Sequence, residues 1–177
     1  MSHRLSFQPD TQAAKALLAW HAELEPGPRA RLRRASTPTD VVFEPKFHEL
    51  LHHLADLHPE LDRADRREAL AAVAGLASRV REHVPGRSLA GQLGVPAARK
   101  GGAAQPPLSP LRFRRLLTLD RLEDRYLALG RVIRRLDGRV NLLSLADSVL
   151  SWNDHTRQQW AYDYYQPSAA AQENEET

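Results

Sequence analysis

Apolar residues recur every three or four positions along most of this 177-residue chain. The clearest run lies in the C-terminal half, at Leu119, Leu122, Tyr126, Leu129, Ile133 and Leu136. This spacing places the side chains on one side of an α-helix, where they can be buried together. We find no convincing alternation of apolar and polar residues of the kind that is typical of a half-buried strand. The pattern therefore predicts an all-α fold.

Prolines and glycines divide this pattern into separate predicted helices. Ser109-Pro110 is a strong helix start, because a capping hydroxyl precedes a proline in the first turn, and Gly138 is a natural C-terminal cap. Between them we expect one helix over 109–137, or two if the chain breaks near 118–120. The same signals predict the other helices at about 10–24, 29–35, 45–58, 65–83, 144–152 and 154–165.

A segment rich in glycine and proline separates two groups of helices. Residues 85–110 hold five glycines and five prolines. We therefore expect two small helical subdomains joined by a Gly/Pro-rich loop. The predicted division is a flexible N-terminus (1–9), an N-terminal helical domain (10–94), a linker (95–108), a C-terminal helical bundle (109–165) and a disordered tail (166–177).

The composition excludes several classes of protein and site. The chain has no cysteine, which excludes a disulfide framework, a thiol nucleophile and cysteine-ligated metal sites. No apolar run approaches the roughly 20 residues that span a bilayer, and the first residues lack the apolar core of a secretory signal. We expect a soluble cytoplasmic protein that makes no contact with membranes.

The charge is distributed unevenly along the chain. The net charge is only +3, but residues 99–139 hold 11 basic and 4 acidic residues, whereas residues 140–177 have a net charge of −5. A second basic run, Arg29-Ala30-Arg31-Leu32-Arg33-Arg34, lies in the N-terminal half. Clustered arginines of this kind are typical of a surface that binds nucleic acid.

The arginines of the 109–137 segment fall on one side of the predicted helix if that helix is continuous. Counting about 100° per residue from Arg114, four others lie within about 60° of it, namely Arg121, Arg125, Arg135 and Arg139. Arg139 is the least secure, because Gly138 can end the helix first. Helical spacing offers only two ion pairs, Arg121 with Asp124 and Arg134 with Asp137. The surplus favours a ridge that follows a phosphate backbone, with a solvated face or a protein contact as alternatives.

One string of residues suggests different chemistry. His48-Glu49-Leu50-Leu51-His52 matches the HExxH pattern, in which two histidines ligate zinc and the glutamate acts as a base. His58 stands where some zinc proteases place a third ligand, but Ala55 replaces the glycine that turns the chain back towards the metal. The alternatives are a zinc-dependent hydrolase, with Glu68 or Glu82 as a further ligand, and an amphipathic helix rich in histidine.

Five of the seven tryptophans and tyrosines lie near the C-terminus. They are Trp152, Trp160, Tyr162, Tyr164 and Tyr165. Stacking on nucleic-acid bases is one use of such residues. Burial between the last two helices is the prediction we prefer, because the surrounding chain offers little aliphatic bulk.

Several landmarks occur together in an order that resembles a known family. They are Trp20, the basic run 27–34, Leu89 with Gly91, Arg112-Phe113-Arg114-Arg115-Leu116-Leu117, Leu145-Ala146-Asp147 with Trp152, and Trp160-Ala161-Tyr162-Asp163-Tyr164-Tyr165. In this order and spacing, over about residues 14–165, the chain resembles the CasB family, the small subunit of the type I-E CRISPR surveillance complex Cascade.

The resemblance implies a helical N-terminal domain, a C-terminal bundle and no catalytic activity, metal or cofactor. It implies two copies packed together against the crRNA-bearing backbone subunits and the large subunit, where they hold the displaced, non-target DNA strand of the R-loop. By motif, the expected nucleic-acid-binding residues are Arg29, Arg33, Arg34, Arg112, Arg114 and Arg115. The helical count adds Arg121, Arg135 and Arg139. The competing hypotheses are the zinc hydrolase and a helical adaptor whose arginines contact only protein.

Overall fold

The computed structural model describes residues 5–99 and 101–166, with the backbone alone described for 97–99. The predicted tail from 167 onwards, and residues 1–4, lie outside these ranges. The described helices are α1 (Gln12–Ala22), α2 (Pro26–Arg34), α3 (Pro38–Val42), α4 (Pro45–Ala55), a 3₁₀ helix (Pro59–Asp62), α5 (Ala64–Ala77), α6 (Leu89–Gly94), α7 (Pro110–Leu117), α8 (Leu122–Arg135), α9 (Leu142–Leu150) and α10 (Asp154–Tyr164). The strands are β1 (Glu82–His83), β2 (Ala97–Arg99), β3 (Gly102–Gln105) and β4 (Arg139–Val140). The all-α prediction is confirmed.

The strands are short and lie at the edges of the helical assembly. β2 and β3 form an antiparallel hairpin inside the predicted linker. β1 pairs in parallel with β4, so that Glu82 lies opposite Arg139. The expected helix over 65–83 is therefore wrong at its C-terminal end, because the chain after Ala77 turns outward to make this pairing.

Two predicted helix starts are also wrong by a few residues. Thr11, not Asp10, caps α1, since its hydroxyl accepts a hydrogen bond from the Ala14 amide at 3.0 Å. Asn141, not Ser144, caps α9. The start at Ser109-Pro110 is confirmed, with Pro110 in the first turn of α7.

The alanine-rich helix α5 lies at the centre of the structure. It is buried from Ala69 to Ala77 and packs against α3, α8 and α9. Its small residues allow this close approach, and a Cβ at Gly75 would collide with the hydroxyl of Tyr126 on α8. Buried residues from both sides of the 95–108 segment belong to one hydrophobic cluster. The division into two subdomains stays a prediction.

The N-terminal segment is held against α9 by a carboxylate. Asp147 accepts hydrogen bonds from the Phe7 amide at 2.5 Å and from the Gln8 side chain at 2.8 Å. Burial raises the pKa of this carboxyl group, while the same donors act in the opposite direction. Leu5 and Phe7 are buried, whereas Gln8 and Pro9 are exposed, and the flexible N-terminus over 1–9 stays a prediction.

A corner between α7 and α8 replaces the single helix expected over 109–137. The carbonyl oxygen of Leu119 accepts hydrogen bonds from the indole nitrogen of Trp152 at 3.0 Å and from the Arg125 guanidinium at 3.3 Å. Arg125 also donates to the carbonyl of Asp120 at 2.5 Å, and its guanidinium carbon lies 5.5 Å from the centre of the Trp152 ring. These bonds satisfy carbonyls that a continuous helix would have bonded internally.

Two histidines form hydrogen bonds with main-chain groups inside the fold. The Nε2 atom of His21 lies 2.8 Å from the carbonyl oxygen of Val80, and the Nδ1 atom of His83 accepts a hydrogen bond from the Leu142 amide at 3.1 Å. Burial lowers the pKa of both imidazoles, and the nearby Arg29 lowers that of His21 further.

None of the described helices is long and apolar enough to cross a membrane.

The lowered pKa of His21 predicts a loss of stability in acid. The unfolded chain binds the proton at a higher pH than the folded chain does, so stability is full above the ordinary histidine pKa and falls below it, by up to about 1.4 kcal/mol per pH unit for one proton. Urea unfolding from about pH 7.5 to about pH 5.5 should show a steeper loss for the wild type than for His21→Gln, which keeps a donor for Val80. Equal slopes would contradict this assignment.

The corner predicts a local effect of removing the Trp152 donor. Trp152→Phe keeps the ring but loses the hydrogen bond to Leu119, which costs about 1 kcal/mol of unfolding free energy. Trp20→Phe is the matched control, because its indole nitrogen bonds the carbonyl of Lys46 at 2.8 Å, away from the corner. Hydrogen exchange at amides 118–125 should accelerate in the first variant and not in the second. Equal exchange rates in the two variants would count against this role of Trp152.

Candidate nucleic-acid interface

α7 and α8 enclose an open groove of about 670 Å³ beside the corner. Its floor is apolar and its rim is basic. The floor consists of Leu108, Leu116, Leu119, Ala128 and Val132. The rim consists of Arg112, Arg115, Arg131, Arg134 and Arg135. We call this surface the arginine groove.

Helical spacing explains why these arginines meet. On α7, Arg112 lies about 40° around the helix from Leu116 and Arg115 about 100°, both on the same side of it. On α8, Arg135 lies about 60° from Val132 and Arg131 about 100°, again on one side. The arginines of each helix therefore lie next to its apolar residues, and those of both helices border the same groove.

The arginine groove has no opposing charge among the described residues. No acidic residue lines it, and none of its five arginines, all of them exposed, lies within 4.0 Å of a described carboxylate. Glu123 pairs with Arg121 at 2.8 Å, and Asp120 pairs with Arg157 of α10. The ion pair expected between Arg134 and Asp137 does not form. The groove therefore presents five unpaired guanidinium groups to solvent.

The ridge expected from a continuous helix does not form. Arg121 precedes α8 as its N-cap residue and pairs with Glu123, rather than with Asp124 as predicted. Arg125 turns inward to the corner, and burial lowers the pKa of its guanidinium. Arg139 lies in β4, beyond the helix, and pairs with Glu82 at 3.0 Å. The physical reason is the break after Leu117, which changes the direction of every later residue.

Arg114 lies on the opposite side of α7 from the groove. At about 100° per residue it points about 200° away from Arg112. It is exposed and makes no ion pair with a described carboxylate within 4.0 Å. Among the arginines that were carried over by motif, the structure thus brings only Arg112 and Arg115 together.

The arginines of α2 have different surroundings from one another. Arg29 donates to the carbonyls of Val80 and His21, both at 3.1 Å, and burial lowers the pKa of its guanidinium. Arg33 and Arg34 are exposed in the last turn of the helix. The residue that follows them, Ala35, accepts a hydrogen bond from Tyr126, which lies on the face of α8 turned away from the groove. Arg33 and Arg34 are therefore separate from the groove.

Arg131 and Arg134 are groove residues that the sequence analysis did not select. Counting angles from Arg114 through the corner placed them away from the supposed ridge. Counted along α8 alone, Arg131 lies about 40° from Arg135 and Arg134 about 60° further round, so the three arginines share one arc of the helix. The signal was present, but the position of the break was needed to use it.

The histidines of α4 do not assemble a metal site in the described part of the chain. The Nε2 atom of His48 lies 2.7 Å from the carbonyl oxygen of Val42, and Glu49 pairs with Lys46 at 2.6 Å. The His48 and His52 rings are 6.3 Å apart between centres. No group of three or more histidine or carboxylate side chains suited to a metal occurs among the described residues. No observation favours the zinc hydrolase.

The C-terminal aromatics divide between core and surface. Trp160 and Tyr164 are buried as predicted, and Tyr164 stacks on Phe113 of α7 with 3.9 Å between ring centres. Tyr162 and Tyr165 are exposed, contrary to that prediction. α10 thus packs against α7, the helix that borders the arginine groove.

Comparisons with known proteins agree on one family. Residues 28–165 match the model of the CRISPR-associated protein Cse2 family. A chain in the crystal structure of E. coli Cascade bound to a PAM-containing double-stranded DNA target is 22% identical, with a TM-score of 0.63, over 88% of this chain and 95% of that chain. CasB from Thermus thermophilus is 25% identical, with a TM-score of 0.60, over 88% of this chain and 98% of that chain. No curated protein matches. Because the family model covers most of the chain, this protein belongs to the Cse2/CasB family of CRISPR-associated proteins.

Proposed function

We propose that this chain is the non-catalytic small subunit of a Cascade complex and holds the displaced DNA strand of the R-loop in its arginine groove. The observation that carries this proposal is the convergence of five exposed, unpaired arginines on one groove in a Cse2/CasB chain. The similar chain of E. coli Cascade comes from a complex bound to target DNA, which supports the same setting for this chain.

The chemistry of the groove suits an unpaired strand. Guanidinium groups bind phosphates through paired hydrogen bonds and read no base sequence. The apolar floor offers a surface to sugars and unstacked bases, which a duplex keeps inside its helix.

Weak binding is sufficient for this function. R-loop formation exchanges one duplex for another of similar stability, so modest contacts with the displaced strand shift the balance. The isolated chain should bind DNA with a dissociation constant on the order of 10⁻⁴–10⁻⁶ M at physiological salt. The crRNA-guided complex supplies the sequence specificity.

The candidate arginines outside the groove differ in whether they already bond a group of this chain. Arg33, Arg34 and Arg114 are exposed and unpaired with described carboxylates, so we keep them as nucleic-acid contacts outside the groove. Arg29, Arg121 and Arg139 already bond carbonyls or carboxylates of this chain, so we leave them out. The proposed partners are the Cascade backbone and large subunits and a second copy of this chain.

Removing two groove arginines should weaken binding to single-stranded DNA. For Arg112→Gln with Arg135→Gln we expect the affinity to fall about tenfold at about 50 mM salt and the slope of log affinity against log salt to flatten by about 1.4, or 0.7 for each lost phosphate contact. Fluorescence anisotropy with a labelled oligonucleotide measures both quantities.

The matched control removes two arginines that the structure shows to be paired. Arg121→Gln with Arg139→Gln makes the same change in net charge, but it should alter affinity less than about threefold, because Glu82 and Glu123 already neutralise these groups. Equal losses in the two double variants would reduce the effect to net charge and contradict the groove assignment. Unchanged binding in both would favour the adaptor hypothesis.

The same pair of variants predicts the outcome in the assembled complex. With the cognate Cascade subunits and crRNA, the groove variant should shorten the lifetime of the R-loop on a matched target, and the control should not. Strand-specific crosslinking should place the groove on the displaced strand. A groove variant that assembles normally and leaves R-loop lifetime unchanged would overturn the proposed function.

A further inference from the structure

The described chain ends at Gln166, which lies beside Gly86 and Arg87. It ends two residues after a contact with the arginine groove, and the sequence that follows is acidic. Residues 167–177 contain Glu173, Glu175 and Glu176 and no basic residue. Before them, Tyr164 of α10 donates a hydrogen bond to the carbonyl of Leu108 at 2.5 Å, and Leu108 belongs to the floor of the groove. The segment 167–177, which we call the acidic tail, therefore starts three residues after a contact with a groove of opposite charge.

We propose that the acidic tail docks in the arginine groove of its own chain and competes there with nucleic acid. The docking needs only the two surfaces of this chain, whereas the competition rests on the proposed function of the groove. The tail would then limit non-specific binding of the free subunit to DNA and RNA, and would give way when the complex presents a strand with more phosphates.

The length of the tail determines how far its glutamates can reach from Gln166. Glu173 is seven residues beyond Gln166, which allows a reach of up to about 25 Å in extended form. A flexible chain of that length has a root-mean-square span of roughly 15 Å. A short tether of this kind corresponds to an effective concentration in the millimolar range, which makes weak contacts significant.

The chemistry of the tail complements both parts of the groove. Carboxylates pair with guanidinium groups through the same two-point hydrogen bonds that phosphates use. The small apolar residues Ala169, Ala170 and Ala171 precede the glutamates and match the apolar floor. The groove holds five unpaired arginines and no acid, so three glutamates leave it with a net positive charge. Exposed pairs of this kind are weak and sensitive to salt, so a nucleic-acid strand can displace them.

The docking can be tested without DNA. The variant Glu173→Gln/Glu175→Gln/Glu176→Gln keeps the full chain and its length. At low salt, its amide chemical shifts should differ from those of the wild type at residues 112–135, and the differences should vanish at high salt. The control Asp10→Asn/Asp56→Asn/Asp62→Asn removes three exposed charges elsewhere and should leave the groove unchanged. Differences absent from the groove, or equal in both variants, would overturn the docking.

The competition has a separate readout in affinity for single-stranded DNA. Neutralising the tail should tighten binding about threefold to tenfold at about 50 mM salt, and the aspartate control should tighten it less than about twofold. With Arg112→Gln and Arg135→Gln in place, neutralising the tail should add nothing. If neutralising the tail changes the amide chemical shifts of the groove but not the affinity for single-stranded DNA, the proposed function is overturned and the docking stands. Binding that needs the groove arginines but ignores the tail would overturn the competition and leave the proposed function.

Discussion

The carbonyl group of Leu119 is the point on which the geometry of the functional surface depends. It accepts hydrogen bonds from both Trp152 and Arg125, and these bonds hold the chain in a corner where the apolar pattern alone would allow one long helix. The corner changes the direction of the chain between α7 and α8, so that arginines from two helices border one groove. The main-chain carbonyl of Leu119, an apolar residue, thus determines where the charged arginine side chains lie.

The parts of the structure that could be predicted from the sequence are those governed by neighbouring residues. The helical class and the start of α7 at Ser109-Pro110 follow from local spacing and capping. The pairing of β1 with β4 and the inward turn of Arg125 depend on groups far away in the chain, such as Trp152, which no local pattern identifies. Only part of the arginine groove could be predicted. The family motif predicts Arg112 and Arg115 and the helical count predicts Arg135, but neither argument includes the corner between α7 and α8.

Some arginines of this chain stabilise the fold and others face solvent. The residue type alone does not tell these two kinds of arginine apart. Arg29 and Arg125 are partly or fully buried and donate to main-chain carbonyls, which stabilises turns and helix ends. Arg112 and Arg135 face solvent and lack a described acidic partner. Several residues that carry the family resemblance, including Trp152 and Tyr164, also maintain the fold. The matching motifs thus indicate a shared architecture more directly than a shared binding surface.

A surface of unpaired arginines binds without selectivity, which is a disadvantage as well as a basis for the proposed function. It attracts any phosphate chain, because the attraction depends on charge and not on sequence. The described acids relieve none of this charge, since Asp120 and Glu123 pair with Arg157 and Arg121. In the docking proposed above, the carboxylates of the acidic tail would supply the opposite charge, and such weak pairs would give way to a long strand held by a complex. The net charge of +3 is the sum of a basic and an acidic segment, which this docking would bring together.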